Sequence, residues 1–362
     1  MEIIMKRIVL TGGGTAGHVT PNIALLPALQ AAGYEIAYVG SYEGIEKKLI
    51  ADFNIPYTGI STGKFRRYLD PKNFSDPFRV MKGFVEARNY LKNYQPDVVF
   101  SKGGFVSVPV VRAAASLHIP CIIHESDMTP GLANKLCIPV AEKVCCNFPE
   151  TMKNIPADKA VLTGSPIRAE LAQGSKLAGL NMCGFTANKP VIMVIGGSLG
   201  AANVNKAVRD ALPKLLEDFQ VVHLCGKDKI DNLLLNTPGY KQFEYIKAEL
   251  KDIFAMADVV ISRAGANAIC ELLALKKPNI LIPLPAASSR GDQLLNAASF
   301  EAQGYSIVLN EDDITTNLLV AKVHELYFNR QNYVDAMSKS HQMDAVKTIM
   351  ELINAAAEKK KN

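Results

Sequence analysis

Short runs of apolar, often β-branched residues alternate with helical patterns along the entire chain, and this alternation limits the possible folds more than any other feature. Two strands joined through a helix normally run parallel, so the pattern predicts parallel sheets with crossover helices. In the first half we predict strands at Arg7–Thr11, Ile36–Val39, Val98–Ser101, Cys121–His124 and Lys143–Cys146. In the second half we predict strands at Val191–Ile195, Val221–Cys225, Val259–Ser262, Asn279–Ile282 and Ser306–Val308.

An internal repeat divides the chain into two similar halves. A strand, a glycine turn and a helix occur at residues 6–14 and again at 190–198. Turn residues cluster at 164–166, which places a boundary there. We therefore predict an α/β protein of two doubly wound domains, residues 1–165 and 166–342. The last pattern, residues 344–357, is an amphipathic helix that could return to either domain.

The composition is that of an ordinary globular protein, with 48% hydrophobic and 21% charged residues in a chain of 362. The seven cysteines form no CxxC pair and mostly lie within or beside apolar runs, which favours reduced core residues in a cytosolic protein. No cleavable signal peptide is visible. The longest weakly charged stretch, residues 103–123, contains Arg112, His118 and two prolines, so it falls short of a spanning helix.

Basic residues are concentrated in the segment from Lys64 to Lys92. The segment holds eight basic and three acidic residues, which equals the surplus of +5 for the whole chain. Phe78, Met81 and Val85 follow one another there at helical spacing, a pattern typical of interfacial segments that meet anionic lipid, although the same stripe also fits core packing. No basic helix with base-reading residues accompanies it, which argues against nucleic acid as a partner.

A glycine loop, residues 12–17, follows the first predicted strand and precedes a helix. Backbone N–H groups at such a turn favour an anion, usually a phosphate. The loop matches GxGxxG, but a dinucleotide site also needs an acid at the end of the second strand, where this chain has Ser41. A purely structural tight turn is a further interpretation. His18 follows the loop directly and is either a base for an incoming hydroxyl or a helix-start histidine with local hydrogen bonds.

A second glycine loop, residues 196–200, offers the same geometry and adds the Ser198 hydroxyl. Two phosphate-type loops, one in each domain, suggest a cleft in which a ligand is held from both sides. Glu271, on the helical run after residues 262–266, could accept the hydroxyls of a ribose or could be a solvated helix glutamate. The six histidines show no zinc spacing, and neither a P-loop nor a GxSxG elbow is present. The pattern suits a reaction with a diphosphate leaving group and no obligatory metal or other cofactor.

Several collinear strings carry a resemblance to a known family. They are GGTAGH at 13–18, GGFVS at 103–107, HESD at 124–127, GLAN at 131–134, GSPIR at 164–168, GGSLGA at 196–201, RAGA at 263–266 with Glu271, and DQ at 292–293 with NA at 296–297. Together they closely resemble the MurG family of N-acetylglucosaminyltransferases, glycosyltransferase family 28, over residues 6–308. The chain departs from the family pattern at Ala16, Ser126, Asp127, Ala264 and Asp292.

The resemblance implies a GT-B architecture of two Rossmann-like domains. The final helix, at about 343–362, could pack back on the first of them. It implies inverting transfer of N-acetylglucosamine from UDP-N-acetylglucosamine to the 4-hydroxyl of N-acetylmuramic acid in undecaprenyl-linked lipid I, which gives lipid II in peptidoglycan synthesis. It assigns the ribose to Glu271, the donor diphosphate to Ser198 and Arg168, and the uracil to the Ile246 backbone. Further donor-binding residues are Thr15, Gly17, Asn134, Ala264, Asp292 and Gln293, and the acceptor diphosphate falls to Gly13, Gly14, Gly103 and Gly104.

Inversion requires a base on the acceptor side. We assign this role to His18, with Glu125 orienting or charging it. A lipid acceptor also favours the membrane interpretation of the basic segment, with attachment to the cytoplasmic leaflet and other cell-wall and division proteins as further partners. The membrane-facing residues would be Lys64, Arg66, Arg67, Lys72, Phe74, Phe78, Arg79 and Lys82. Alternatives are another GT-B lipid glycosyltransferase, a UDP-N-acetylglucosamine 2-epimerase, an NAD-dependent oxidoreductase and a non-catalytic lipid-surface protein.

Overall fold

The computed structural model describes residues 5–63, 72–196, 201–286, 291–340, 342 and 344–360, with side chains left out for 72–77. The strands of the first part of the chain are β1 Lys6–Thr11, β2 Tyr34–Ser41, β3 Tyr57–Ile60, β4 Val98–Ser101, β5 Cys121–Glu125, β6 Lys143–Cys146 and β7 Ala160–Leu162. The later strands are β8 Val191–Ile195, β9 Gln220–Leu224, β10 Tyr240–Phe243, β11 Val259–Ser262, β12 Asn279–Leu281 and β13 Ser306–Val308.

Helices connect the strands. The first are α1 Thr20–Ala31, α2 Ile45–Ile50, α3 Lys72–Tyr94, α4 Ser107–Ser116, α5 Leu132–Cys137, α6 Pro149–Met152 and α7 Lys176–Cys183. They are followed by α8 Ala202–Asp218, α9 Leu250–Met256, α10 Ala266–Ala274, α11 Asp292–Ala302, α12 Thr316–Phe328, α13 Arg330–Ser338 and α14 Ala345–Lys359.

The chain forms two compact units. The first contains residues 1–168 and 344–362, and the second contains residues 169–343. The first unit holds a seven-stranded sheet in the order β3-β2-β1-β4-β5-β6-β7, and the second holds a six-stranded sheet in the order β10-β9-β8-β11-β12-β13. All pairings between the described strands are parallel. Both sheets are therefore doubly wound, as the sequence predicts.

Burial of both sheet faces explains why the strands are continuous apolar runs. Along β1, Ile8 and Leu10 belong to one core cluster and Val9 belongs to the cluster on the opposite face, and all three are fully buried. Helices α3, α4 and α5 cover the Val9 face, while α1 covers the face of Ile8 and Leu10. This two-sided core fixes the ends of β1 and β4, from which the candidate site is built.

Helix α14 completes the core of the first unit. Ile349 and Ile353 are fully buried in the same cluster as Ile8 and Leu10. The Tyr34 hydroxyl, on β2, donates a hydrogen bond of 2.8 Å to Asn354 Oδ1. The last helix thus closes one face of a sheet whose strands lie more than 180 residues earlier in the chain, a separation that local sequence patterns do not encode.

All ten predicted strands are present, but β3, β7 and β10 were not predicted. Each of these three lies at the edge of its sheet. An edge strand is paired on one side and partly exposed, so its sequence lacks the buried run that identifies a central strand. All seven cysteines are buried and free, as expected of core residues.

Candidate functional site

The two doubly wound sheets each have a topological switch point, where neighbouring strands send their connections in opposite directions. It lies between β1 and β4 in the first unit and between β8 and β11 in the second. Ligands of such sheets bind outside the carboxyl ends of the strands at this point. The glycine loops singled out in the sequence follow those strands, so the fold brings residues 12–18 and 102–104 together in the first unit.

His18 lies at the first switch point with its ring oriented by its own loop. Nδ1 is 3.1 Å from the Gly13 carbonyl oxygen and 3.1 Å from Thr15 Oγ1. A carbonyl oxygen can only accept, so the Nδ1 proton must be present and must donate to Gly13. In the neutral ring, Nε2 then carries the lone pair. Among the described residues, Nε2 has no hydrogen-bond partner, so it remains able to take a proton.

The environment of His18 keeps the ring neutral. Burial, followed by the charge of Lys102, lowers its pKa to about 4 from an ordinary value of 6.5. The hydrogen bond to Gly13 and the charge of Glu46 act in the opposite direction. At neutral pH the ring is therefore uncharged, which is the form that a general base needs before it reacts.

The turn at Gly103 and Gly104 forms a wall beside this ring. Both glycines have positive φ, +99° and +84°, a conformation that side chains disfavour. A Cβ on Gly104 would lie 3.3 Å from His18 Nδ1 and would collide with the Gly13 carbonyl. Gly104 is thus required by the close approach of two loops, while Gly103 is favoured by its positive φ, and together they bring backbone next to the imidazole.

Much of the hydrogen-bonding capacity of these glycines is used within the protein. The Gly13 N–H donates to the Gly103 carbonyl at 3.3 Å, and the Gly103 N–H donates to Ser101 Oγ at 3.2 Å. The Gly14 N–H donates to Glu46 Oε2 at 3.1 Å. The amides of Gly13 and Gly14, which the family resemblance assigns to the acceptor diphosphate, already have acceptors in this structure.

Glu46 is the main residue that the sequence interpretation missed. It lies in α2, is fully buried, and also accepts from the Ser41 N–H at 2.9 Å and the Ser41 hydroxyl at 2.5 Å. Its carboxylate fills the space where a Cβ on Gly13 would lie. A carboxylate thus holds the first glycine loop in place. The signal that could have found it is the placement of a glutamate soon after the second strand, on the helix that follows.

Glu125, which we assigned to orient or charge His18, has its described hydrogen bonds to other groups. Its buried carboxylate accepts from the backbone N–H groups of Asp127 at 2.9 Å and Gly131 at 3.1 Å, and from Asn134 Nδ2 at 2.8 Å. Glu125 and Asn134 are brought together, and they close the loop from 125 to 134. The ring of His18 is instead oriented by Gly13 and Thr15.

The second switch point is described only in part. Ser198 lies outside the described residues, although Gly196 directly follows β8. Ala264 is buried after β11, and its carbonyl accepts from Asn296 Nδ2 at 3.1 Å. Arg263, also buried, donates to the carbonyl groups of Ile282 and Pro283 and forms an ion pair with Glu311. These contacts hold the strand end from which α10 begins.

The remaining predicted donor residues occupy several elements. Glu271 is partly exposed on α10, and Ile246 is buried after β10. Gln293, near the start of α11, accepts from the Leu284 N–H at 3.1 Å, and Asp292 is the first residue of that helix. Arg168 is the last residue of the first unit before the chain enters the second, and Gly17 lies in a short 3-10 turn before α1.

Helix α3 carries an exposed apolar surface in the first unit. Phe78 is 76% exposed, Met81 69% and Val85 54%, so these three do not form the core that the alternative interpretation required. Exposed Arg79 and Lys82 lie on the same helix. An apolar groove of about 550 Å³ runs between α3 and α4. Lys64, Arg66 and Arg67 lie outside the described residues, as do the side chains of Lys72 and Phe74.

The described part of the chain offers neither a membrane-spanning helix nor a metal-binding cluster. None of the helices found there is both long and apolar enough to cross a membrane. No group of three or more His, Cys, Asp or Glu side chains is placed there to hold a metal ion.

Comparisons with known proteins agree with this geometry. The model of the glycosyltransferase family 28 N-terminal domain matches residues 8–146, and that of the C-terminal domain matches residues 191–353. A relative from Lachnospira eligens, named UDP-N-acetylglucosamine--N-acetylmuramyl-(pentapeptide) pyrophosphoryl-undecaprenol N-acetylglucosamine transferase, is 65% identical over 96% of this chain and 99% of its own. One of the same name from Lachnoclostridium phytofermentans is 65% identical over 96% and 98%.

A solved structure, that of Acinetobacter baumannii MurG, has a TM-score of 0.76 and 28% identity, covering 97% of this chain and 99% of that one. Two doubly wound sheets with glycine loops at their switch points, matched over the full chain by this structure, define a GT-B glycosyltransferase. The chain belongs to glycosyltransferase family 28, which confirms the resemblance inferred from the sequence motifs.

Proposed function

We propose that the chain is an inverting transferase that moves N-acetylglucosamine from UDP-N-acetylglucosamine to the 4-hydroxyl of N-acetylmuramic acid in lipid I, giving lipid II for peptidoglycan. The observation that carries the proposal is 65% identity, over 96% of the chain, to relatives named for that transfer. Both halves match the two domains of family 28. Such similarity over both domains supports the same donor and acceptor.

The acceptor side of the reaction falls to His18. Attack by the 4-hydroxyl opposite the departing UDP requires that the hydroxyl lose a proton, and Nε2 takes it. The hydrogen bond from Nδ1 to the Gly13 carbonyl supports this role because it leaves the lone pair on Nε2. Glu125 acts indirectly, through the loop that it and Asn134 close.

The amides of Gly13, Gly14 and Gly103 donate hydrogen bonds within the protein. We therefore assign the acceptor diphosphate to the Gly104 end of the turn at Gly103 and Gly104. A diphosphate bound at this turn would lie close to the His18 ring. Its negative charge would favour the imidazolium that forms as the proton arrives.

On the donor side, Glu271 would accept hydrogen bonds from the ribose hydroxyls and the Ile246 backbone would bind the uracil. Ser198 and Arg168 would hold the diphosphate that leaves as UDP, with no obligatory metal ion. Further donor contacts are assigned to Thr15, Gly17, Asn134, Ala264, Asp292 and Gln293.

The acceptor is linked to a membrane lipid, and α3 is the proposed membrane-facing element of the first unit. Exposed Phe78, Met81 and Val85 would enter the interface while Arg79 and Lys82 approach anionic headgroups. This gives peripheral attachment at the cytoplasmic face of the cell membrane, where other cell-wall and division proteins act.

The decisive experiment incubates the purified chain with radiolabelled UDP-N-acetylglucosamine in three reactions, with lipid I, with diacylglycerol and without acceptor. We expect labelled disaccharide-lipid only with lipid I. Label on diacylglycerol would identify a different lipid glycosyltransferase, and conversion of the donor without acceptor would identify a 2-epimerase. Failure of all three would refute the proposal.

A further inference from the structure

Lys102 places a positive charge beneath the acceptor-side turn. It follows β4, precedes Gly103, and is only 1% exposed. A buried ammonium group loses its hydration, so lysines are rarely found at such a depth unless other groups hold the charge.

Groups at the end of β5 help to hold this ammonium. Lys102 Nζ donates to His124 Nδ1 at 3.0 Å and to Ser126 Oγ. His124 Nε2 lies 2.9 Å from the Gly164 carbonyl, which can only accept, so the ring proton of neutral His124 is on Nε2. Burial, followed by the charge of Lys102, lowers the pKa of His124 well below its usual value. Nδ1 is therefore an acceptor for Lys102.

The backbone of Lys102 is hydrogen-bonded to the neighbouring strand. Its N–H donates to the Thr11 carbonyl, at the end of β1, at 2.9 Å. The next two residues, Gly103 and Gly104, form the wall against the His18 ring. A single residue thus joins the ends of β1, β4 and β5 directly behind the candidate base.

Three titratable groups act on His18 or sense its charge. Lys102, at the end of β4, disfavours a charged His18 ring, and Glu46, in α2, favours it. His124, at the end of β5, is neutral and adds no charge to the balance. Lys102 and Glu46 therefore oppose each other across the same imidazole.

We propose that Lys102 is a positioning residue: its ammonium ties the ends of β4 and β5 together behind the turn at 103–104 and, in addition to burial, disfavours a charged His18 ring, so that Nε2 stays able to accept a proton. The catalytic use of that proton acceptor rests on the proposed function. The protonation state of His18 does not, so it can be measured separately.

The test measures the His18 titration directly, by ring-nitrogen NMR of ¹⁵N-histidine-labelled full-length protein, with the His18 signals assigned through H18Q. Titrations are confined to the pH range in which circular dichroism is unchanged. Lys102→Met removes the charge at similar volume, and we expect the His18 midpoint to rise by about 1 pH unit. Lys102→Arg keeps the positive charge, so the His18 midpoint should stay within a few tenths of a pH unit of the parent.

A second variant gives a control of opposite sign. Glu46→Gln removes the negative charge, so the His18 midpoint should fall rather than rise. If Lys102→Met does not fold, Lys102→Gln provides an uncharged side chain that can still donate to His124. The acid limb of kcat/KM should move with the NMR midpoint in each variant.

Loss of turnover in Lys102→Met with an unchanged His18 midpoint and tautomer would overturn the inference, because a merely structural residue would give that result. Equal midpoints in the Met and Arg variants would also overturn it. If the parent chain transfers no sugar to lipid I but the midpoints move as expected, the proposed function fails and the role of Lys102 stands.

Discussion

His18 combines three local features that no single pattern in the sequence reveals. Its proton is fixed on Nδ1 by a carbonyl of its own loop, a positive charge on the ring is opposed by burial and by a buried lysine, and the turn at Gly103 and Gly104 lies against the ring. Position after a glycine loop was enough to select His18 as a candidate. The partners were not predictable, because Glu46 and Lys102 come from elements 28 and 84 residues away in the chain and carry no motif of their own.

Replacing His18 by Ala should reduce turnover by ~10²- to 10⁴-fold, the usual contribution of a general base. UDP affinity should change little, because the base acts on the acceptor. Initial rates with lipid I and calorimetric titration with UDP measure the two quantities. His118→Asn is a matched control, since His118 has φ of +56° and Asn tolerates that conformation. Turnover close to that of the parent in His18→Ala would remove His18 from the reaction.

The pH dependence should differ between the free and the substrate-bound enzyme. In the free protein the pKa of His18 is about 4, so kcat/KM should begin to fall only as the pH approaches that value from above. A bound diphosphate raises the pKa of a nearby imidazole, so the acid limb of kcat should lie at higher pH. Rate profiles measured with saturating and limiting acceptor would show this separation, and coincident limbs would contradict it.

At the scale of elements, the central strands were predictable because parallel strands buried on two faces are continuous apolar runs. The glycine loops were predictable because each directly follows such a run. The edge strands β3, β7 and β10 were not, since their burial depends on neighbours that only the fold supplies. The nature of the α3 stripe was also undecided by sequence. Phe78, Met81 and Val85 have the same spacing whether they face a core or a membrane, and only their exposure separates the two interpretations.

The double variant Phe78→Ser, Met81→Ser should weaken binding to vesicles that contain anionic phospholipid. The reason is that both side chains are largely exposed and would lose their apolar contact with the bilayer interface. Co-sedimentation at low and high salt measures the effect, and salt should weaken binding of the parent as well. Leu233→Ser, at a residue of the second unit that is 93% exposed, is the control and should bind as the parent does. Undiminished binding of the double variant would exclude α3 as the membrane-facing element.

At the scale of the whole molecule, the chain builds the same doubly wound plan twice and then sends its last helix back to the first sheet. The repetition was visible in the sequence as an internal repeat of strand, glycine turn and helix. The amphipathic pattern of α14 fits packing on either unit. The structure shows that it packs on the first, where Ile349 and Ile353 join the core cluster of β1 and α1.

Ile353→Ala should destabilise the first unit by about 2–4 kcal/mol, the usual cost of such a cavity in a core. Urea unfolding followed by circular dichroism measures this loss in the full chain. Ala355→Ser, on the exposed side of α14, should leave the unfolding midpoint unchanged. Equal stability of the two variants would show that α14 contributes little to the core.

The anomeric configuration of the sugar bond formed with lipid I tests the central claim most directly, because in-line attack with His18 as base must invert the donor carbon. Proton NMR of the purified disaccharide product, made from α-linked UDP-N-acetylglucosamine, should show a β linkage to the 4-position of N-acetylmuramic acid. An α linkage, or a bond to any other position, would contradict the account.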